Sequence, residues 1–353
     1  MAIVHIGLGK TATTALQKRV FPELVKFGLI SAYNPKNLMR LLYLKRLTEL
    51  TNEQEAELTK LVKANKDAVV SFEGLVDWNP VNWKHARDAN LATFGKDATI
   101  LLTIREPRGY LTSVYQQVVA EGHVVEPKNF FVSSELASLA ASANRRGMLE
   151  YFDQQQFDMA KLADLYREKF SRVIVVAMPQ LGSMNFLDAF CSIDEASRAV
   201  VQKNFNTLEP NNRSFSRLAM SLTLRRERLL NSLGIRSQST HDFDIRALEN
   251  FTKPIAEPSA EPIDQPGGKP AARRSALKRL KRKAWVWSKR LRRWRYLMQV
   301  VVNRGFVYKK YELPSGILNE SVIKKNLEFY NEVLAAEDGY LVLGRLNGRN
   351  RKS

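Results

Sequence analysis

The sequence predicts an α/β protein in which a mostly parallel central sheet of about five strands is flanked by helices. Short apolar runs that suit buried strands alternate with segments of helical spacing, and the connections between parallel strands are expected to be right-handed. A glycine-containing loop joins the first apolar run to the first helix. The predicted strands lie near residues 2–6, 29–32, 68–72, 98–104 and 173–177.

The first strand, residues 2–6, runs directly into a loop that suits an anionic ligand. Residues 7–14 combine two glycines, Lys10 and three threonines, and residues 15–21 begin a helix. This arrangement directs backbone N–H groups and the positive end of a helix to one spot, where a lysine adds charge and hydroxyls add donors. It is not a complete nucleoside-triphosphate motif, because Val4 stands where that motif requires a glycine.

A second binding element follows the uncharged strand at 98–104. Arg105 stands at the C-terminal end of this strand, where open α/β sheets place their ligands. Pro107 turns the chain, and the helix that begins there carries Ser113. A planar guanidinium and a hydroxyl suit one phosphate group, so we expect Arg105 and Ser113 to converge on it.

These two segments resemble the nucleotide-binding motifs of the sulfotransferases that use 3′-phosphoadenosine 5′-phosphosulfate. Residues 10–14, Lys-Thr-Ala-Thr-Thr, are similar to the 5′-phosphosulfate loop of that family. Residues 104–107, Ile-Arg-Glu-Pro, with Ser113 are similar to its 3′-phosphate site. The resemblance extends more loosely over residues 1 to about 235 and again near 326–344.

Two positions in the first motif depart from the family pattern. The family usually has glycine where this chain has Ala12, and often has proline where it has Gly9. Ala12 adds one methyl group at a position of close approach. A strained or weakened loop, and with it an inactive transferase, is therefore an alternative that rests on Ala12.

The resemblance implies a P-loop-like sulfotransferase fold and an enzyme that moves a sulfuryl group to a hydroxyl acceptor, with a carbohydrate or glycolipid as the acceptor class. It assigns Lys10 to the bridging oxygen of the donor. Charge grows on the leaving and equatorial oxygens during in-line transfer, so positive and N–H groups stabilise it, and no metal is expected. The predicted donor-binding residues are Gly9, Lys10, Thr11, Ala12, Thr13, Thr14, Arg105 and Ser113.

Glu73 is the predicted general base for the acceptor hydroxyl. It follows the strand at 68–72, so its carboxylate is expected at the same edge of the sheet as Lys10 and Arg105. Residues 70–74, Val-Ser-Phe-Glu-Gly, resemble the Ser-Glu element of bacterial and glycan sulfotransferases. A carboxylate in a partly desolvated cleft can take a proton, whereas a surface salt bridge is the structural alternative.

Other side chains near these motifs have both a functional and a structural interpretation. Asp77 and His123 are the other candidate bases, while His5 lies mid-strand and is interpreted as a hydrogen-bonded core residue. Three polar or aromatic residues after Glu73 suit either stacking on a sugar ring or packing in the core; they are Trp78, Asn79 and Trp83.

The predicted domains are an α/β core over 1–250, a proline-rich linker over 251–270, a basic amphipathic helical segment over 271–310, and a C-terminal helix that returns to the core over 311–353. The net charge is +19, and residues 265–311 hold 16 Lys or Arg and no acidic residue. A helix is indicated there by an apolar stripe with alternating spacings of three and four, made up of Leu277, Leu280, Ala284, Trp287, Leu291, Trp294, Met298 and Val301.

The basic segment needs a partner, because self-repulsion would melt such a helix in isolation. Its own core, an anionic membrane or glycan surface met through residues 271–302, and an acidic polymer are the alternatives. Sequence-specific nucleic-acid binding is disfavoured, since no recognition module accompanies the segment. The sequence shows no signal peptide and no apolar run of about 18 residues, and Cys191 is the single cysteine, so we expect a cytoplasmic protein, peripheral at the inner membrane face.

Two other classes of function stay open. A P-loop nucleotide kinase or NTPase also uses a glycine loop with a lysine, but no strand-end aspartate for Mg²⁺ is evident, and Mg²⁺ dependence separates it from a sulfotransferase. A non-enzymatic protein that binds an anionic glycan or a membrane surface would be built around residues 270–302, and deletion of that segment would abolish its binding.

Overall fold

The computed structural model describes residues 2–120, 124–132, 151–207, 214–232, 294 and 297–344. The chain divides into two compact units. The α/β unit consists of Met1–Val118, Val125–Asn212 and Glu312–Ser353, and the helical unit consists of Val119–Val124 and Arg213–Tyr311.

The α/β unit is built on a five-stranded sheet, which confirms the predicted fold class. The strand order is β2-β1-β3-β6-β7; the first four strands are parallel and β7 is antiparallel to β6. A separate parallel pair is formed by β4 and β5. The strands are β1 Ile3–His5, β2 Val69–Ser71, β3 Thr99–Ile104, β4 Phe131–Val132, β5 Phe152–Asp153, β6 Arg172–Ala177 and β7 Leu341–Gly344.

The fifth strand differs from the prediction. Residues 29–32 do not form a strand; this stretch leads only to an isolated bridge between Tyr33 and Val69. Asn34 follows with a φ of 43°, so the backbone leaves the extended conformation before a ladder can grow. The fifth strand of the sheet is β7, which lies beside β6 at the opposite edge and whose residues alternate between partly buried and exposed positions.

Helices and short helical turns cover the sheet and fill the helical unit. The helices are α1 Thr13–Ala15, α2 Phe21–Lys26, α3 Lys36–Leu47, α4 Asn52–Ala64, α5 Trp83–Phe94, α6 Pro107–Ala120, α7 Pro127–Phe130, α8 Met159–Arg167, α9 Glu195–Asn206, α10 Arg217–Ser232, α11 Asn303–Gly305 and α12 Glu320–Leu334. Leu16–Val20 is π-helical and joins α1 to α2 in one continuous helix. The 3₁₀ turns are Glu73–Leu75, Pro80–Asn82, Met178–Ser183 and Asn185–Ala189.

Polar side chains cap several of the helices. A capping box formed by Thr51 and Gln54 begins α4. The Thr51 hydroxyl accepts from the Gln54 N–H at 3.3 Å, and the Gln54 side chain accepts from the Thr51 N–H at 3.0 Å. Asp158 and Asn319 are the N-caps of α8 and α12, and each accepts a backbone N–H of the first turn.

The core of the α/β unit lies on both faces of the central strands. All residues of β1 and β3 are buried, as expected for parallel strands covered on both sides. Cys191 lies beside this core and is partly buried, and burial raises the pKa of its thiol to about 11. A thiol with a raised pKa is protonated at neutral pH, as is usual for a cysteine that packs against a core.

The helical unit includes the described end of the predicted basic segment. Trp294 donates its indole N–H to the Thr223 hydroxyl on α10 at 3.1 Å, and Arg226 lies over the Trp294 ring at 4.8 Å. The predicted linker at 251–270 and residues 271–293 lie outside the described residues.

The apolar stripe of this segment ends differently from the prediction. Met298 is buried as expected, but Val301 is half exposed and Val302 is buried in its place. Leu297–Val302 is π-helical, and the wider turn of a π-helix shifts the inward face by one residue relative to a spacing of 3.6. Within the described residues, no helix is both long and apolar enough to cross a membrane.

Candidate anion-binding site

The candidate site lies at the C-terminal edge of three neighbouring strands. The loop 7–12 follows β1, Glu73 comes after β2 and Arg105 comes directly after β3. The Leu8 N–H donates to the Thr103 carbonyl at 3.3 Å, so the loop starts as an extension of the β1–β3 ladder. Parallel strands β2, β1 and β3 are adjacent, so all three segments emerge at one edge of the sheet.

The loop backbone has the form of an anion-binding concavity. Lys10 has a φ of 70° and Ala12 a φ of 62°, with Thr11 between them at negative φ. Alternation between right- and left-handed residues turns successive N–H groups toward one side. Among the described hydrogen bonds, none is donated by the backbone N–H of Thr11 or Ala12. Helix α1 begins at Thr13 directly after this loop, and its N-cap residue Ala12 supplies no side-chain cap.

Thr11 is oriented away from the concavity. Its hydroxyl is fully buried, donates to the Leu8 carbonyl at 2.5 Å and lies 2.7 Å from the Thr103 hydroxyl. Thr13 is also buried, with its hydroxyl 3.5 Å from that of Thr11. A ligand above the loop therefore meets the backbone of Thr11 rather than its side chain, and Thr14 is the partly exposed threonine of the three.

Arg105 joins the two sequence motifs. Its guanidinium donates to the Lys10 carbonyl at 3.2 Å across 95 positions of sequence. Burial lowers the pKa of Arg105 from its ordinary value, and the neighbouring Glu106 acts against that shift. The Glu106 carboxylate accepts from the N–H groups of Arg108 and Gly109 at 2.9 and 2.6 Å, which fixes the turn into α6. Ser113 lies further along α6 and is buried.

The two loop glycines leave room for specific neighbours. A Cβ atom on Gly7 would lie 2.3 Å from the Thr103 hydroxyl and 2.6 Å from His5 Nε2. A Cβ atom on Gly9 would lie 3.0 Å from the ring of Trp78. Gly9 therefore accommodates the indole of Trp78 against the loop.

Glu73 opens the 3₁₀ turn that follows β2 and is partly buried. Two buried side chains fix the end of this turn, because the Leu75 carbonyl accepts from the Asn90 amide at 2.7 Å and from the Tyr166 hydroxyl at 3.3 Å. Asp77, the second candidate base, accepts from the Asn79 N–H at 2.8 Å. His123, the third, lies outside the described residues.

The three candidate sugar-stacking residues separate into two groups. Trp83 is buried, packs against Phe157 with a ring separation of 6.1 Å and donates to the Asp77 carbonyl at 2.9 Å. Asn79 is buried and accepts from the Val81 N–H at 3.3 Å. Both belong to the core, whereas Trp78 is partly exposed beside Gly9.

Two residues beneath the loop were not recognised from the sequence. Thr103 contacts Thr11 and His5, and Gln17 donates to the carbonyl and hydroxyl of Ser71 at 3.1 Å each. The sequence indicates their role only weakly, because Thr103 is a single hydroxyl residue in an apolar strand and Gln17 is a single amide residue in a helix. Their π-helical and strand-end positions become evident only once the chain is folded.

No protein-family model, no curated protein and no solved structure matches this chain. Within the described residues, no group of three or more His, Cys, Asp or Glu side chains is arranged to hold a metal ion.

Proposed function

We propose that this chain is a sulfotransferase that moves a sulfuryl group from 3′-phosphoadenosine 5′-phosphosulfate to a hydroxyl of a carbohydrate or glycolipid. The observation that carries the proposal is the hydrogen bond from Arg105 to the Lys10 carbonyl. It brings the segment that resembles the 3′-phosphate site against the segment that resembles the 5′-phosphosulfate loop. A donor with one phosphate at its 5′ position and another at its 3′ position needs two neighbouring anion sites in one cleft.

The residues of the loop fit the 5′ end of this donor. The donor supplies an activated sulfuryl group whose leaving oxygen belongs to a nucleotide phosphate. In this proposal the backbone N–H groups of the loop bind the equatorial oxygens, which suits a loop with left-handed backbone at Lys10 and Ala12. Lys10 supplies the positive charge for the bridging oxygen as the S–O bond breaks. Arg105 and Ser113 hold the 3′-phosphate, the group that distinguishes this donor from ATP.

Glu73 supplies the base in this proposal. The acceptor hydroxyl forms the new S–O bond, its proton passes to the Glu73 carboxylate, and the bond from sulfur to the nucleotide oxygen breaks. The products are a sulfate ester and 3′-phosphoadenosine 5′-phosphate. Glu73 is favoured over Asp77, because it lies only two residues after the end of β2, at the sheet edge from which the loop and Arg105 also emerge.

The test is the formation of 3′-phosphoadenosine 5′-phosphate from the donor, measured by chromatography in the presence of a chelator and a panel of mono- and oligosaccharides and glycolipids. We expect acceptor-dependent product without added metal, and its loss in Lys10→Ala. Hydrolysis or phosphoryl transfer from ATP that depends on Mg²⁺, with no turnover of the sulfate donor, would contradict the proposal and favour a P-loop kinase or NTPase.

We also propose that the basic segment contacts an anionic membrane surface. In the helical unit Phe306 is 60% exposed and Val307 is 85% exposed, and Lys309 and Lys310 follow them at the surface. Exposed apolar side chains beside lysines suit the boundary between anionic headgroups and acyl chains. This feature stands independently of the nucleotide site.

Vesicle cosedimentation tests the membrane proposal. We expect the protein to sediment with phosphatidylserine-containing vesicles and not with phosphatidylcholine alone, and the double variant Phe306→Ser, Val307→Ser to bind about tenfold more weakly. Val200→Ser, at an exposed position of α9 in the α/β unit, is the matched control and should bind normally. Equal binding by both variants would contradict this assignment.

A further inference from the structure

A chain of polar side chains runs beneath the loop, through the C-terminal ends of β2, β1 and β3. Gln17 Nε2 lies 3.1 Å from Ser71 Oγ, which lies 2.7 Å from His5 Nδ1. On the other side of the ring, His5 Nε2 lies 3.2 Å from Thr103 Oγ1. Thr103 Oγ1 in turn lies 2.7 Å from Thr11 Oγ1. We call these five side chains the His5 network.

The Thr11 end of the network determines which ring nitrogen of His5 carries the proton. At one end, the Thr11 hydroxyl donates to the Leu8 carbonyl, so it must accept from Thr103. Thr103 has then used its one proton and must accept from His5, which places a proton on Nε2.

The other end of the network is compatible with this assignment. Gln17 donates to Ser71 Oγ, and the Ser71 hydroxyl in turn donates its proton to His5 Nδ1. A neutral ring with hydrogen on Nε2 satisfies both sides at once. Burial agrees, since desolvation lowers the pKa of His5 to about 3.

We propose that His5 is a positioning residue which, as the neutral Nε2–H tautomer, holds the anion-binding loop in its left-handed conformation through the His5 network. The consequence for the site rests on the proposed function. Thr11 stands between the two left-handed residues, Lys10 and Ala12. Because its hydroxyl is held below the loop by Thr103, the Thr11 N–H is kept on the opposite, ligand-facing side.

The network also ties the two catalytic segments together. Ser71 is the last residue of β2 and lies two positions before Glu73. Its N–H and carbonyl are fixed by the Asn34 amide at 2.7 and 2.9 Å, and its carbonyl also accepts from Gln17. The loop and the strand end that carries the proposed base therefore share one buried set of hydrogen bonds.

The first test measures the tautomer and requires no nucleotide. Two-dimensional ¹H–¹⁵N correlation spectra of the imidazole nitrogens of the whole protein at neutral pH should show His5 with a protonated Nε2 and an unprotonated Nδ1. The Nδ1–H tautomer or an imidazolium would overturn the proposal.

The second test breaks the network at one hydroxyl. Thr103→Val removes the link between His5 and Thr11 while keeping the shape of the side chain. Thr99→Val is the matched control, because Thr99 is a buried threonine at the other end of the same strand. We expect Thr103→Val to weaken binding of 3′-phosphoadenosine 5′-phosphate about tenfold, Thr103→Ser to restore it and Thr99→Val to change it less than twofold.

Hydrogen exchange of the loop amides separates failure of this inference from failure of the proposed function. If the wild-type protein does not bind the nucleotide, faster exchange over residues 10–14 in Thr103→Val than in Thr99→Val still supports the positioning role. Equal exchange and equal nucleotide affinity in the two variants would overturn it.

Discussion

The two sides of the proposed active site, both in the α/β unit, are built by different means. On the donor side, residues 7–14 and Arg105, the backbone is held by a short loop, two left-handed residues and buried side-chain hydrogen bonds. On the acceptor side, residues 73–83, most polar and aromatic groups serve the local turns and the core. The donor side can therefore be recognised in the sequence as a short motif. The acceptor side cannot, because the shape of a surface and not a sequence pattern determines which acceptor it binds.

The largest effect is expected at Glu73, the proposed base at the start of the acceptor side. Glu73→Gln removes the proposed base but preserves size, so turnover should fall by about 100- to 10,000-fold while the affinity for 3′-phosphoadenosine 5′-phosphate stays within about threefold. Asp77→Asn retains an acceptor for the Asn79 N–H and is the control. Steady-state kinetics would contradict the assignment if Asp77→Asn lost more activity than Glu73→Gln.

The two tryptophans of the acceptor side should differ in how much they contribute to the free energy of unfolding. Trp83→Ala removes a buried ring and an indole hydrogen bond, so the free energy of unfolding should fall by about 3–5 kcal/mol. Trp78→Ala removes a partly exposed ring and should cost less than about 1.5 kcal/mol. Urea denaturation measures both. A similar loss in the two variants would mean that Trp78 is also a core residue.

The lowered pKa of His5 predicts that the free energy of unfolding of the protein depends on pH in the acid range. Its pKa is lowered from 6.5 to about 3 by burial, so below pH 6.5 the unfolded chain takes up a proton that the folded chain refuses. The contribution of His5 to the free energy of unfolding is therefore fully present above pH 6.5. It falls by about 1.4 kcal/mol per pH unit below that pH and stops falling near pH 3.

Urea denaturation at several pH values checks this slope. His5→Gln keeps one donor and one acceptor but does not titrate, so the stability difference between wild type and His5→Gln should shrink steadily from pH 6.5 to pH 4. A difference that is constant over that range would show that the His5 pKa is not lowered in the folded protein.

The smallest effect is expected at Ala12. An alanine in left-handed backbone destabilises the folded protein by about 1–2 kcal/mol, and glycine would relieve this strain. Glycine also raises the conformational entropy of the unfolded chain, which offsets part of the gain, so Ala12→Gly should stabilise the protein by about 0.5–1 kcal/mol. Ala15→Gly, in right-handed helical backbone, is the control and should destabilise by about 1 kcal/mol. Destabilisation of similar size in both variants would argue against strain at Ala12.

The strand, loop and helix that carry the proposed donor site were predictable because the information that specifies them is local. An apolar run, a glycine loop and a helix are contiguous in residues 2–21, and Arg105 directly follows its strand. Where structure depends on distant pairing, prediction failed. Residues 29–32 have the composition of a strand, but Asn34 turns the backbone away, and β7 reaches the sheet from a position more than 300 residues further on.

The His5 network shows a second limit of sequence reasoning. His5 was interpreted correctly as a satisfied core residue, yet its partners come from β2, β3 and the loop. Each partner is an ordinary serine or threonine in the sequence. Similarly, the burial of Val302 in place of Val301 follows from a π-helical segment that no 3.6-residue pattern contains.

The most direct test of the central claim is calorimetric titration of the metal-free protein with 3′-phosphoadenosine 5′-phosphate and with ADP. We expect micromolar binding of the bisphosphate, little binding of ADP and at least about tenfold weaker bisphosphate binding in Arg105→Ala. Arg108→Ala, three residues along the chain and paired with Glu320 at the surface, should bind like the wild type. Equal or tighter binding of ADP, or unchanged binding in Arg105→Ala, would contradict the sulfotransferase proposal.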